Sequence, residues 1–167
     1  MNITRVALLT GTNQGNRYEN LTEARLRLTQ KLAQPALLSA VYHTQAWGGK
    51  SSSDYLNQVL IFDSSLSAAE VLDICLDVER EMGRVRGEER WTDRIIDIDI
   101  LVFGNEHLAL PHLQIPHPRL PERKFALAPL KEVWPEWVHP VYNLSVADLW
   151  AKCEDELEVK IFEEVIG

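Results

Sequence analysis

The run Ile95-Ile96-Asp97-Ile98-Asp99-Ile100-Leu101-Val102-Phe103 constrains the fold more than any other stretch of the chain. Apolar and acidic residues alternate through its first half, and Gly104 ends it, which predicts a β-strand. Residues two apart on a strand share a face, so Asp97 and Asp99 project together with Cα atoms roughly 6.5–7 Å apart. Ile96, Ile98 and Ile100 then take the opposite face and pack on the core. Acids set among apolar residues are costly unless something balances their charge. Two like charges side by side raise each other's pKa or recruit a cation. Hard oxygen donors in this arrangement suit Mg²⁺, which binds through one or two carboxylates plus substrate phosphates. Two ions about 3.5–4 Å apart fit the span of such a pair. Taken alone, Asp-Ile-Asp also reads as a solvated sheet face balanced by nearby arginines.

The residues just upstream shift that balance. Gly83-Arg84-Val85-Arg86-Gly87-Glu88-Glu89-Arg90-Trp91-Thr92-Asp93-Arg94 carries four arginines and is broken by Gly83 and Gly87, so it does not read as an ordinary salt-bridged helix face. An arginine-rich loop beside a metal-binding acid pair is the equipment of phosphoryl transfer, where catalysis is charge neutralisation and positioning. The planar guanidinium matches phosphate better than a lysine ammonium does. Arg80, Arg119 and Arg123 add to this basic centre, although the chain as a whole has a net charge of −8. That sum argues against sequence-blind nucleic-acid binding, while the local concentration of arginine suits a small anion.

The 167 residues suit one domain, 1–167, able to bury a core without staples. Two cysteines, Cys75 and Cys153, imply neither a disulfide framework nor a cysteine-rich zinc site. No apolar run approaches the roughly 18 residues of a membrane span. The first residues lack the layout of a signal peptide. The expectations are therefore a cytoplasmic protein with no membrane or nucleic-acid partner, and a monomer.

Residues 4–10 read as a strand ending in a Gly/Asn turn. Leu21, Ala24, Leu28 and Leu32 recur at helical spacing ahead of Pro35. Strands are predicted around 37–46 and 55–65, separated by a Gly/Ser-rich loop. Ser67 with Glu70 forms a capping box for a helix that Gly83 stops. After the Asp97/Asp99 strand, Pro111, Pro116, Pro118, Pro121, Pro129 and Pro135 predict loops and short turns rather than long elements. A helix over 145–154 and a strand over 158–163 end the chain. The order β-α-β-β-α-β over the first 103 residues predicts an α+β fold: a ferredoxin-like antiparallel sheet with helices packed on it. Proline-rich loops are expected to form the active-site side.

Four stretches in order carry a resemblance to a known family: Gly11–Leu21, Val41–Val59, Arg84–Glu106 and Leu113–Pro135. The last two are the specific ones, with Arg-Trp-x-x-Arg-x-x-Asp-x-Asp-Ile followed by Pro-His-Pro-Arg and Arg-x-Phe. Over residues 5–135 the chain resembles the 6-hydroxymethyl-7,8-dihydropterin pyrophosphokinase (2-amino-4-hydroxy-6-hydroxymethyldihydropteridine diphosphokinase) family, and 136–167 reads as an extension of the same domain. The resemblance implies an ATP-dependent diphosphokinase of folate biosynthesis, with ATP and the pterin alcohol as small-molecule substrates and two Mg²⁺ as cofactor. By the same resemblance Asp97 and Asp99 are the metal ligands. Arg84 and Arg94 are implied as catalytic clamps. Glu79, Arg86, Arg90, Trp91, Ile100, His117 and Arg123 are implied around ATP. Thr44, Tyr55, Asn57 and Phe125 are implied around the pterin, the two aromatics stacking on its ring and Asn57 meeting its amide-like edge. The chain departs from the family's usual pattern at Thr92-Asp93, at Gln45-Ala46-Trp47 and at Asn16.

Two other classes are compatible with parts of this pattern. A non-catalytic ferredoxin-like module could bind a nucleotide or single-stranded RNA on an open sheet face, but the negative charge and the lack of a basic, aromatic-interleaved strand count against it. A metal-dependent nuclease or phosphatase would share the acid pair but would need no aromatic sandwich.

Overall fold

The computed structural model describes residues 2–44, 54–83 and 95–162. Its centre is an antiparallel sheet in the order β5-β1-β4-β3-β8, with β2 also paired to β4. The strands are β1 (Thr4–Thr12), β2 (Leu37–Leu38), β3 (Tyr42–Thr44), β4 (Tyr55–Ser64), β5 (Asp97–Phe103) and β8 (Val159–Ile161). A separate small hairpin joins β6 (Leu108–Leu110) to β7 (Leu113–Ile115). Among the described residues the helices are α1 (Arg17–Leu32), α2 (Ala68–Glu81), α3 (Lys124–Val133) and α4 (Val146–Lys152).

Local chemistry accounts for the first two helices. Asn16 caps α1 by accepting the Glu19 N–H at 3.1 Å. Leu21, Ala24 and Leu28 form its buried stripe. In α2 the capping box is complete: the Ser67 hydroxyl accepts the Glu70 N–H, and the Glu70 carboxylate accepts the Ser67 N–H. Gly83 then ends the helix at φ +93°, a conformation that costs glycine little. The two helices lie on one sheet face, where Val6, Leu8, Leu56, Leu60, Phe62, Ile96, Ile98 and Ile100 pack against them. Full burial of each such side chain stabilises by about 1.5–3 kcal/mol.

A register shift between Ala7 and Leu8 sets the parity of β5. Ala7 pairs with Val102 and Leu8 with Ile100, so Leu101 is the extra residue of a bulge. Before the bulge Ile96, Ile98 and Ile100 face α1 and α2, as the alternation predicted. After it Phe103 takes that face, while Leu101 and Val102 join a second core.

This second core occupies half of the other sheet face. Ala7, Leu9, Val59 and Ile61 pack there against Leu127 and Leu130 of α3 and Leu149 of α4. The expectation of loops and short turns across the proline-rich stretch from Pro111 to Pro135 is corrected here: α3 is a ten-residue helix with Pro129 inside it. Burial of Ala126, Leu127, Pro129 and Leu130 on one side of α3 outweighs the cost of a proline in the helix. The single strand expected over 37–46 is likewise divided. Ser39 lies between β2 and β3, and its hydroxyl accepts the Val59 N–H at 2.9 Å while its own N–H donates to the Val59 carbonyl. Residues 45 and 46 of that prediction lie outside the described residues.

Candidate active site

The half of the sheet face left clear of α3 and α4 forms the floor of a cavity of about 640 Å³, within the usual range for small-molecule sites. Leu9 and Gly11 of β1, Thr44 of β3, Tyr55 and Asn57 of β4, and Asp97 and Asp99 of β5 open onto it. These residues share the cavity because antiparallel pairing sets Gly11 opposite both Asn57 and Asp97, and Thr44 opposite Tyr55. The facing wall is built from Arg119, Glu122, Arg123 and Phe125, which lead into and begin α3. Asp155 and Leu157 close it from the C-terminal side.

One end of the cavity is charged. Asp97 and Asp99 are half-buried on the same face of β5. Arg123 stands across from them with its guanidinium 5.4 Å from the centre of the Phe125 ring. Burial pulls the Arg123 pKa down and Arg119 adds to the effect, while Asp99, Glu122 and Asp155 favour the charged form. Among the described residues no three histidine, cysteine or acidic side chains converge on one point. The pair of carboxylates nevertheless has the donor chemistry of a Mg²⁺ site completed by substrate oxygens.

The other end offers buried polar atoms. Thr44 and Asn57 are only 2% and 4% exposed, and Thr44 Oγ1 and Asn57 Oδ1 have no hydrogen-bond partner among the described residues. Such orphaned atoms are expensive, and both residues line the cavity. The Asn57 amide is held from behind, because its Nδ2 donates to the Thr10 carbonyl at 3.2 Å. A flat ring with donors along its edge would satisfy both atoms, with Tyr55 and Phe125 beside it.

The other predicted residues fall in three places. His117 is next to the cavity wall but does not line it. Its N–H donates to the Leu101 carbonyl, and its Nδ1 accepts the Arg119 N–H at 3.2 Å, which leaves Nε2 as the N–H donor of the neutral ring. Burial, with help from Arg123 and Arg119, pushes its pKa down to about 4. Glu79 and Ile100 lie on the helix side of the sheet: Ile100 is in the core, and the buried Glu79 carboxylate accepts the Ile98 N–H at 2.9 Å. Glu79 thus holds β5 between the two aspartates. Arg84, Arg86, Arg90, Trp91 and Arg94 lie outside the described residues, as do the departures at 45–47 and 92–93.

Several cavity residues were given no individual site role from the sequence. Arg119 was counted only in the basic centre, although it belongs to the Pro-His-Pro-Arg stretch. Gly11 was read as part of the turn after the first strand, but β1 runs on to Thr12 and makes it a strand glycine, which often marks a close backbone approach. Asp155 and Leu157 carried no local signal.

An antiparallel α+β fold whose cavity is acidic at one end and polar-aromatic at the other defines a small-molecule site with room for both a charged group and a flat ring. Residues 7–135 match the model of the 7,8-dihydro-6-hydroxymethylpterin-pyrophosphokinase family, and the chain belongs to that family. Curated relatives carry the name 2-amino-4-hydroxy-6-hydroxymethyldihydropteridine pyrophosphokinase. One from Methylorubrum extorquens is 36% identical over 145 residues, covering 81% of this chain and 86% of its own. One from Bacillus subtilis is 38% identical over 133 residues, covering 79% and 78%. Among solved structures, Plasmodium falciparum HPPK-DHPS with pteroate superposes with a TM-score of 0.71 at 16% identity. That match covers 90% of this chain and 42% of the other, so it shows the shared fold over less than half of the longer protein. Among the described residues no helix is long and apolar enough to cross a membrane.

Proposed function

We propose that this chain transfers the pyrophosphoryl group of ATP to 6-hydroxymethyl-7,8-dihydropterin, giving AMP and the pterin diphosphate, a step of folate biosynthesis. The observation that carries the reading is that the predicted acid pair and the predicted pterin contacts, Thr44, Tyr55, Asn57 and Phe125, open onto one cavity. The pterin hydroxyl oxygen attacks the β-phosphorus of ATP, the bond from that phosphorus to the α–β bridging oxygen breaks, AMP leaves with the oxygen, and the hydroxyl proton is released.

Thr44 and Asn57 bind the edge of the pterin, and Tyr55 and Phe125 cover its faces. This fixes the hydroxymethyl group near Asp97 and Asp99. Those two aspartates would hold two Mg²⁺, whose charge, when bound, offsets that of the triphosphate. Arg123 stabilises the charge that develops on the transferred group. The neutral His117 ring donates from Nε2 to a phosphate oxygen. Arg84 and Arg94 act as catalytic clamps, Arg86, Arg90 and Trp91 complete the ATP environment, and Glu79 and Ile100 support it from the helix side of the sheet by holding β5. The fold is read as a ferredoxin-like core running from β1 to β5 within a single domain, 1–167, working as a cytoplasmic monomer.

Incubation with ATP, Mg²⁺ and reduced hydroxymethylpterin tests the reading by chromatography of the nucleotides. AMP should appear mole for mole with the pterin diphosphate. Nucleotide release that ignores the pterin would instead mark a hydrolase, and the absence of any product would mark a binding module.

A further inference from the structure

The segment joining α4 to β8 lies beyond the family match at 7–135, yet it reaches the cavity. It leaves α4 at Cys153, passes Asp155 and Leu157 along the cavity wall, and enters β8, where Val159 pairs with Thr44 of β3. It therefore crosses from the second core to the strand that carries a pterin contact.

Asp155 is held at both carboxylate oxygens. Its Oδ1 accepts the Leu157 N–H at 3.0 Å, fixing the side chain to its own loop. Its Oδ2 accepts the Lys124 N–H at 3.1 Å, 31 residues away in sequence. Lys124 is the first residue of α3, and the cap residue Arg123 makes no side-chain capping bond. The first N–H groups of a helix have no partner within it, and a carboxylate there is also favoured by the helix dipole. Asp155 thus acts as the cap that α3 lacks locally. Arg123 and Phe125, which flank Lys124, both line the cavity.

We propose that Asp155 is a positioning residue: by capping α3 across the cavity wall, it aims Arg123 at the phosphates and Phe125 at the pterin ring. The proposal rests on the pyrophosphokinase reading for what those two residues meet. α3 also meets α4 directly, since the ammonium groups of Lys124 and Lys131 each lie 5.3 Å from the centre of the Trp150 ring. A brace of this kind affects substrate geometry more than global stability, because the second core remains packed without it.

Asp155→Ala and Asp155→Asn test it. The alanine variant should lose about tenfold in kcat/KM for the pterin, with its thermal midpoint within a few degrees of wild type. The asparagine variant has one acceptor oxygen for two N–H groups; with that oxygen on Lys124 and the Leu157 bond given up, it should recover to within about threefold of wild type. Unchanged turnover in the alanine variant, or equal loss in both, overturns the brace. Hydrogen exchange at the Lys124 amide gives a readout independent of turnover: it should quicken at least tenfold in Asp155→Ala and stay slow in Asp155→Asn, and equal rates in all three proteins overturn the proposal. A wild-type protein that makes no AMP defeats the pyrophosphokinase reading, and the amide measurement still decides the brace. If Asp155→Ala does not fold, Asp155→Asn decides alone: a protected Lys124 amide with near-normal pterin turnover supports the brace, and a fast-exchanging amide with normal turnover refutes it.

Discussion

Gly11 and Asn57 face each other across β1 and β4 so closely that a Cβ on Gly11 would stand 2.5 Å from Asn57 Nδ2. The glycine is there because the Asn57 amide lies over its Cα, and this contact sets where Asn57 Oδ1 points. Gly11→Ala should therefore act as a recognition mutation. Moving the amide breaks its bond to the Thr10 carbonyl and misplaces the buried acceptor, a cost of about 1–3 kcal/mol. The expected result is at least a tenfold weaker pterin affinity by calorimetry, with the affinity for an unreactive ATP analogue unchanged. Equal weakening of both ligands would mean that the strand pair itself had been disturbed.

Tyr42 and Glu132 tie β3 to α3. The Tyr42 hydroxyl donates to Glu132 Oε1 at 2.6 Å, and the same carboxylate accepts the Ala40 N–H. Burial first, then Glu132, pushes the phenol pKa above its ordinary value, so Tyr42 remains a donor through the alkaline range. Tyr42→Phe should cost about 1–2 kcal/mol, a fall of roughly 2–8 °C in the thermal midpoint. In wild type this tyrosine should show no phenolate absorbance at pH 10, and a normal titration there would remove the buried hydrogen bond.

His117 makes a pH prediction of definite sign. Its folded pKa of about 4 lies below the ordinary 6.5. Between those values the unfolded chain binds a proton that the ligand-free folded chain does not. Its contribution to stability is thus full above pH 6.5 and is lost as the pH falls toward 4. Allowing for the ring's partial exposure, the loss is about 1–2 kcal/mol. Urea unfolding of wild type and His117→Gln at pH 7 and pH 4.5 should show the gap between them shrinking by that amount at the lower pH. A constant gap would mean that the ring protonates normally in the folded state.

What could be read from the residues depended on how local the deciding interaction was. The helix signals at Ser67, Glu70 and Gly83 act within a few residues, and both ends of α2 follow from them. Alternation placed Asp97 and Asp99 on one face, because strand periodicity needs no partner to be visible. Ser39 was opaque, since its hydroxyl replaces a ladder position only when Val59 is alongside. Pro129 misled, because propensity counts its cost and cannot count the burial of Leu127 and Leu130. Asp155 was the least legible of the cavity residues. Its role exists only through a bond to an amide 31 residues earlier, and an acidic tail looks the same whether it is solvated or built into a wall. The residues expected around the pterin were named through family resemblance, and their sharing of one cavity became visible through strand register.

A dependence on metal would separate the proposed role of Asp97 and Asp99 from a merely structural pairing with arginine. Both are half-buried at the cavity rather than sealed in the core, so exchanging one for its amide should leave the thermal midpoint within a few degrees of wild type. Activity should respond differently. Asp97→Asn and Asp99→Asn should each lower kcat at least a hundredfold, because each loses an anionic oxygen that would hold the Mg²⁺ offsetting the triphosphate charge. Calorimetry of Mg²⁺ binding in the presence of an unreactive ATP analogue should show weaker binding in both variants, and chelation should abolish AMP formation in wild type. Arginine neutralisation alone would predict the reverse: turnover indifferent to chelation, a large loss of stability in the variants and no change in Mg²⁺ affinity. Because stability, turnover and metal affinity are read separately, the two roles cannot be confused.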